Sequence, residues 1–118
     1  MNRTRWLIVA VVLVALFAVG GVLIYSNSRK GQNVTWTVTM TKASSMAPDN
    51  LTAHVNDTVT INIASDTDGE VHLHVYDIPF DTKAGQTVSH TFKADKTCSC
   101  EIEWESTGTH LGYLTVSP

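Results

Sequence analysis

Residues 34–41 read Val-Thr-Trp-Thr-Val-Thr-Met-Thr, and the period of that stretch decides the fold. Val34, Trp36, Val38 and Met40 alternate with Thr35, Thr37, Thr39 and Thr41. A period of two places the first set on one face of a strand and the second on the other, and β-branched residues suit a pleated, half-buried surface. The same period continues outward along the chain. Leu51, Ala53 and Val55 alternate up to Asn56-Asp57, a turn signal, and Val59, Ile61 and Ile63 follow. Beyond the polar loop Asp66-Thr67-Asp68-Gly69 comes VHLHVY, residues 71–76. Ile78 and Phe80 flank Pro79, which predicts an edge strand or a bend. Val88, His90 and Phe92 share one strand face. Cys98, Cys100, Ile102 and Trp104 share another, opposite Ser99, Glu101, Glu103 and Glu105. Leu114 and Val116 end the chain. About eight short strands separated by turns, with no amphipathic helix, predict an all-β domain of two stacked antiparallel sheets over residues 31–118.

The segment before that domain has a different character. Trp6 to Tyr25 runs WLIVAVVLVALFAVGGVLIY, twenty positions without a charge. At ~1.5 Å per helical residue this is about 30 Å, the thickness of a bilayer's hydrocarbon core. Trp6 and Tyr25 close its two ends, where amphipathic rings favour the membrane interface. Residues 1–30 are therefore read as one N-terminal transmembrane helix, a signal-anchor with a short polar flank. The expected location is the cell membrane, single-pass through residues 6–25, with the C-terminal domain extracytoplasmic or periplasmic. Cleavage near Ala18-Val19-Gly20 is the alternative and would give a secreted domain.

Charge divides at the same place. Residues 1–30 carry Arg3, Arg5, Arg29 and Lys30 and no acid, whereas residues 31–118 set Lys42, Lys83, Lys93 and Lys96 against all eleven acids. A domain this acidic repels phosphate backbones, so nucleic acid is excluded as a partner and cations are favoured. Neither a Gly-x-Ser-x-Gly elbow nor a serine, histidine and acid set stands out, and the expectation is that the protein is not an enzyme. Three Asn-x-Thr triplets, at Asn33, Asn50 and Asn56, match a glycosylation acceptor and are expected by chance in a threonine-rich chain.

The order of these segments resembles the cupredoxin fold, the Greek-key β-sandwich of small blue copper proteins. The resemblance covers roughly residues 34–117. It is carried by the Asn56-Asp57-Thr58-Val59 turn, the strand VTINIAS, the acidic loop, a strand opening on His72, the run AGQTVSHTFKAD and the terminal Gly112-Tyr113-Leu114-Thr115-Val116. The stretch EVHLHVYD, residues 70–77, is also similar to that of cupredoxin-like proteins lacking the usual copper loop. In the family the first histidine ligand opens a strand after an acidic loop, where His72 stands. The other ligands, in the order Cys, His, Met, precede a Gly-x-Leu-x-Val run. Aligned on Gly112, the Met slot holds His110, the Cys slot falls near Trp104 or Glu105, and the second His slot falls near Ser106 or Thr107. A blue centre needs a soft thiolate, two imidazoles and a weak axial ligand, so the resemblance implies a degenerate copper loop.

His72 and His74 are spaced i, i+2, so both rings leave one face of one strand and make a half-site for Cu(II), Ni(II) or Zn(II). The resemblance brings His110 towards the same end of the sandwich, and His72, His74 and His110 are the candidate metal ligands. Each has a plainer reading as a core or partly exposed histidine. His90, between Val88 and Phe92, is expected buried; His54 is expected on the surface. Glu101, Glu103 and Glu105 read as one solvated strand face. Cys98 and Cys100 lie about 13 Å or more from the loop end of their strand, too far to join the same site. Side chains at i and i+2 stand about 6.5–7 Å apart, whereas a disulfide needs Cβ atoms at roughly 3.5–4.5 Å, so an internal bridge needs a bulge or a bend, and free buried thiols are the expectation. A Cu(I)-binding pair and a bridge to another chain remain alternatives.

Three functional readings follow. The first is an exported, membrane-anchored domain binding copper or another transition metal through a non-blue histidine site, for metal handling or sensing beside an unidentified protein partner. The second is a metal-free structural or interaction module on the same sandwich. The third is an electron-transfer copper protein using a thiolate from an altered register.

Overall fold

The structure is a computed structural model, and it describes residues 30–118. The N-terminal helix expected over residues 6–25 lies outside the described residues. Gly31–Pro118 forms one compact unit. Nine strands follow in order: β1 (Asn33–Thr41), β2 (Ser45–Ala47), β3 (Asn50–His54), β4 (Thr58–Ser65), β5 (Gly69–Leu73), β6 (Ile78–Thr82), β7 (Gln86–Lys93), β8 (Cys98–Trp104) and β9 (Thr109–Ser117). They form a four-stranded sheet, β2-β1-β4-β7, and a five-stranded sheet, β3-β9-β8-β5-β6.

The alternation in the sequence becomes the inside and outside of this sandwich. Val38 and Met40 of β1, Ile61 and Ile63 of β4, Val71 and Leu73 of β5 are all at most 2% exposed, while the residues between them face outward. Burying each such side chain is worth about 1.5–3 kcal/mol, and this is what pins the register of every strand. Pro79 lies on β6, an edge strand as expected, so its missing N–H leaves no ladder position empty on an outer neighbour. The Asn56-Asp57 turn is present as well. Asp57 is 1% exposed, and its two carboxylate oxygens accept the Gln32 and His54 backbone N–H groups at 2.9 and 2.8 Å.

Four features differ from the sequence expectation. First, the sheets are mixed: β1·β4 and β3·β9 pair in parallel. A parallel pair needs a crossover, and here each connection passes through the opposite sheet, by β3 between β1 and β4 and by β4 and β7 between β3 and β9. Second, β2 has no turn signature, because its hairpin turns on Lys42 and Ala43, at φ 54° and 55°, rather than on Asn-Gly. Third, VHLHVY is a strand only to Leu73. Residues 74–77 form a turn, with Val75 at φ 75° and Asp77 at φ 55°, which returns the chain along β6. Fourth, His90 is exposed, not buried. β7 is the edge of the four-stranded sheet, and the ring stands edge-on to Phe80 with centroids 4.9 Å apart.

Candidate metal centre

β8 is the middle strand of the five-stranded sheet, between β5 and β9. Its inward residues Cys100, Ile102 and Trp104 belong to the core, which leaves Glu101, Glu103 and Glu105 on the outer face. On β5 the inward residues are Val71 and Leu73, so His72 and His74 come out on that same face. The register sets His72 opposite Glu103. Each imidazole then reaches a glutamate on the diagonal. His74 Nε2 lies 2.6 Å from Glu103 Oε1, and His72 Nδ1 lies 3.4 Å from Glu105 Oε1. The two histidine rings meet edge to face, 4.5 Å between centroids.

His72, His74 and Glu103 each offer one donor atom, and these atoms lie within 4.8 Å of one another. His72 is the most enclosed of the three, its side chain 17% exposed. Its Nε2 is 2.7 Å from Asp77 Oδ1, on the turn after β5. An Nε2–H donated to Asp77 leaves a lone pair on Nδ1, which is the arrangement that orients a ligating histidine. Nδ1 is buried and makes no hydrogen bond; the Glu105 contact is close but lacks hydrogen-bond geometry. A buried nitrogen lone pair without a donor costs free energy unless something else occupies it.

The third sequence candidate, His110, stands on the same face but on the other side of β8. A bulge in the β8·β9 ladder, between Ile102 and Glu103, places His110 opposite Glu103 and turns Leu111 into the core. The His110 ring packs on Tyr113, 4.8 Å between centroids, and its Nδ1 lies 2.9 Å from Glu101 Oε2. The structure therefore brings His72 and His74 into one donor group and sets His110 beside it, against a different glutamate. The group occupies the outer face of a sheet, whereas the sequence reading placed it at one end of the sandwich. The reading also missed Glu103, taking the glutamates as a solvated face. Their odd-numbered alternation was visible, but the pairing of β8 with β5 was not.

Cys98 and Cys100 are joined by a disulfide, not free. Their Cα atoms are 5.2 Å apart, closer than two full strand rises, and this contraction is what the regular-strand expectation did not include. Neither sulfur is then a thiolate, so the donor set of a blue copper centre is not present in these residues. Two imidazoles and a carboxylate suit a divalent transition ion instead.

Known structures share the fold. A multicopper oxidase, mgLAC, matches 73% of this chain and 39% of its own at 15% identity, with a TM-score of 0.53. A blue copper oxidase from Nitrosomonas europaea matches 73% of this chain and 39% of its own at 14% identity, with a TM-score of 0.54. A chain from a heme-copper terminal oxidase dimer is matched over all its length and 98% of this one, at 12% identity and a TM-score of 0.53. The chain thus spans about two fifths of the length of the two copper oxidases, 39% in each case. No family model and no curated protein matches the sequence. At these identities the likeness is one of architecture, and the described chain is a cupredoxin-like β-sandwich carrying a His/His/Glu group able to hold a metal ion.

Proposed function

We propose that this protein is an exported, membrane-anchored cupredoxin-like domain that binds a divalent transition metal, copper or zinc, for metal handling at the membrane surface. The observation that carries the reading is the grouping of His72 with His74 and Glu103, the His72 ring oriented by Asp77 and its buried Nδ1 making no hydrogen bond. His72, His74 and Glu103 would hold the ion, and an exposed sheet face leaves further coordination positions open to an exchanging partner. That openness supports binding and release rather than catalysis. Export is supported by the uncharged run 6–25 and by the disulfide, which persists in oxidising compartments. Removal of that run would give a secreted form.

The test is titration of the full chain, in detergent micelles, with Zn(II) and Cu(II). Saturable binding is expected, without the intense blue of a thiolate centre. His72→Ala and Glu103→Gln should each weaken it on the order of 100-fold, since loss of outer-shell partners alone costs about 10–100-fold. His54→Ala, on the exposed far edge of the sheet, should change nothing. Equal binding by the His54 and His72 variants would overturn the assignment. A second reading, a metal-free interaction module, is favoured by one observation: His74 and His110 already hold carboxylate partners at 2.6 and 2.9 Å.

A further inference from the structure

We propose that the Cys98–Cys100 bridge is an exchange-active disulfide, opened by a small thiol that attacks the half-buried sulfur of Cys98 while the fully buried Cys100 leaves. This chemistry is independent of the metal reading. The two cysteines face the core, whereas His72, His74 and Glu103 stand on the outer face of the sheet.

A bridge and its fold stabilise each other by the same amount, because closing the bond in the folded chain and folding the closed chain belong to one thermodynamic cycle. The sequence separation here is 2. Loop-closure entropy over so few residues raises the folded chain's preference for the closed bond only about tenfold, against roughly 150-fold for a fifteen-residue loop. The strand takes back part of that small gain. The two Cα atoms are held 5.2 Å apart, whereas two regular rises span about 6.5–7 Å, so opening the bond lets β8 extend. Structural disulfides resist the thiols of their compartment because the fold holds them shut, and this fold holds its bridge weakly.

Access is equally one-sided. Cys98 is half-buried and follows three exposed residues, Asp95, Lys96 and Thr97, whereas Cys100 is 0% exposed. A thiolate approaches along the line of the S–S bond, opposite the leaving sulfur. The core closes that approach to Cys100 and leaves Cys98 as the sulfur attacked. The backbone suits both redox states. Cys98, Ser99 and Cys100 pair in register with Val116, Thr115 and Leu114, and the bulge of this ladder lies further on, between Ile102 and Glu103.

A thiolate bonds to Cys98 Sγ as the Sγ–Sγ bond breaks, and Cys100 leaves with the electron pair and takes a proton. A second thiolate attacks the small-thiol sulfur of the mixed disulfide and releases Cys98 as a thiolate. Two thiols are thereby oxidised to one disulfide, and the bridge is reduced by two electrons to a dithiol.

The experiment equilibrates the full chain, in detergent micelles without metal or denaturant, against mixtures of reduced and oxidised glutathione. An alkylating reagent traps free thiols, which are counted by mass; Cys98 and Cys100 are the chain's two cysteines, so every trapped thiol reports on this bridge. In excess reduced glutathione most chains are expected as the dithiol with an unchanged circular dichroism spectrum. At intermediate ratios the glutathione adduct is expected on Cys98. A bridge that stays closed in excess reduced glutathione overturns the proposal, as does one that opens only with loss of the folded spectrum. An adduct on Cys100 overturns the assignment of the attacked sulfur. Separately, a thiol-reactive dye should label Cys98 in Cys100→Ser on the order of 100-fold faster than Cys100 in Cys98→Ser, and equal rates would contradict that assignment. Should either variant misfold, the position of the adduct in the unaltered chain decides.

Discussion

His72 shows how much one side chain can be asked to do by its neighbours. A strand that buries Val71 and Leu73 must turn His72 outward, yet the ring ends only 17% exposed because Glu103, Glu105 and the 74–77 turn close around it. Asp77 is the residue that gives the ring a direction. Its carboxylate is largely in water, so its 2.7 Å contact contributes little to stability, but it holds Nε2 and so leaves Nδ1 for the buried side. If the ion is bound through Nδ1, Asp77→Asn should lower zinc affinity about tenfold, the lower end of outer-shell effects, because the partner is exposed. The melting temperature without metal should stay within a few degrees, surface changes being worth about ±0.5 kcal/mol. Competition titration with a chelating dye measures the first and scanning calorimetry the second. Unchanged affinity would mean that His72 binds by its other nitrogen or not at all.

At the scale of the element, β8 holds both the readable and the unreadable parts of this protein. Its alternation shows in the sequence, because one face must enter the core and the other must not. The edge position of Pro79 and the Asn56-Asp57 turn were legible for equally local reasons. The glutamates' role was not, since it depends on which strands flank β8, and register with β5 and β9 is a long-range fact. The disulfide was hidden for a third reason: it depends on a local contraction of the strand, to 5.2 Å between Cα atoms, that no residue pattern announces. The bridge spans a sequence separation of 2, the smallest loop such a bond can usefully close. Chain entropy falls with the logarithm of loop length, so the stabilisation is about 1.5 kcal/mol, half that of a fifteen-residue loop. Replacing Cys98 and Cys100 by alanine together should therefore lower the melting temperature by roughly 5–15 °C, adding the small loss of buried sulfur to the entropy term. The domain should still unfold in one transition. Failure to fold at 25 °C would show that the bridge holds the β8·β9 ladder itself.

The whole sandwich has two unlike outer surfaces. On the four-stranded sheet three outward rungs read Thr35–Thr60–Thr91, Thr37–Asn62–Ser89 and Thr39–Ala64–Thr87, uncharged positions in which Thr60 and Thr91 share a hydrogen bond at 2.8 Å and Ser89 bonds Asn62, and the fourth, Asn33–Thr58–Lys93, ends on a lysine. On the five-stranded sheet, about 10 Å away through the core, the field is carboxylate and imidazole. Acids gathered over one face, without lysine or arginine among its strand positions, raise the local concentration of cations there and not on the other side. Capture of a metal ion should then be an electrostatically steered event. The Debye length shrinks from about 30 Å at 0.01 M salt to about 8 Å at 0.15 M, so distant carboxylates drop out first and the ligating ones last. The association rate of Zn(II) with the full chain, followed by stopped-flow, should fall about tenfold over that range, while the dissociation rate changes little. Neutralising Glu70 and Asp81, which pair across β5 and β6 outside the donor group, should flatten this dependence without altering dissociation. An association rate indifferent to salt would mean that the ion reaches its ligands by a route the acidic face does not govern, and the polarity of the sandwich would then have to serve a partner other than a cation.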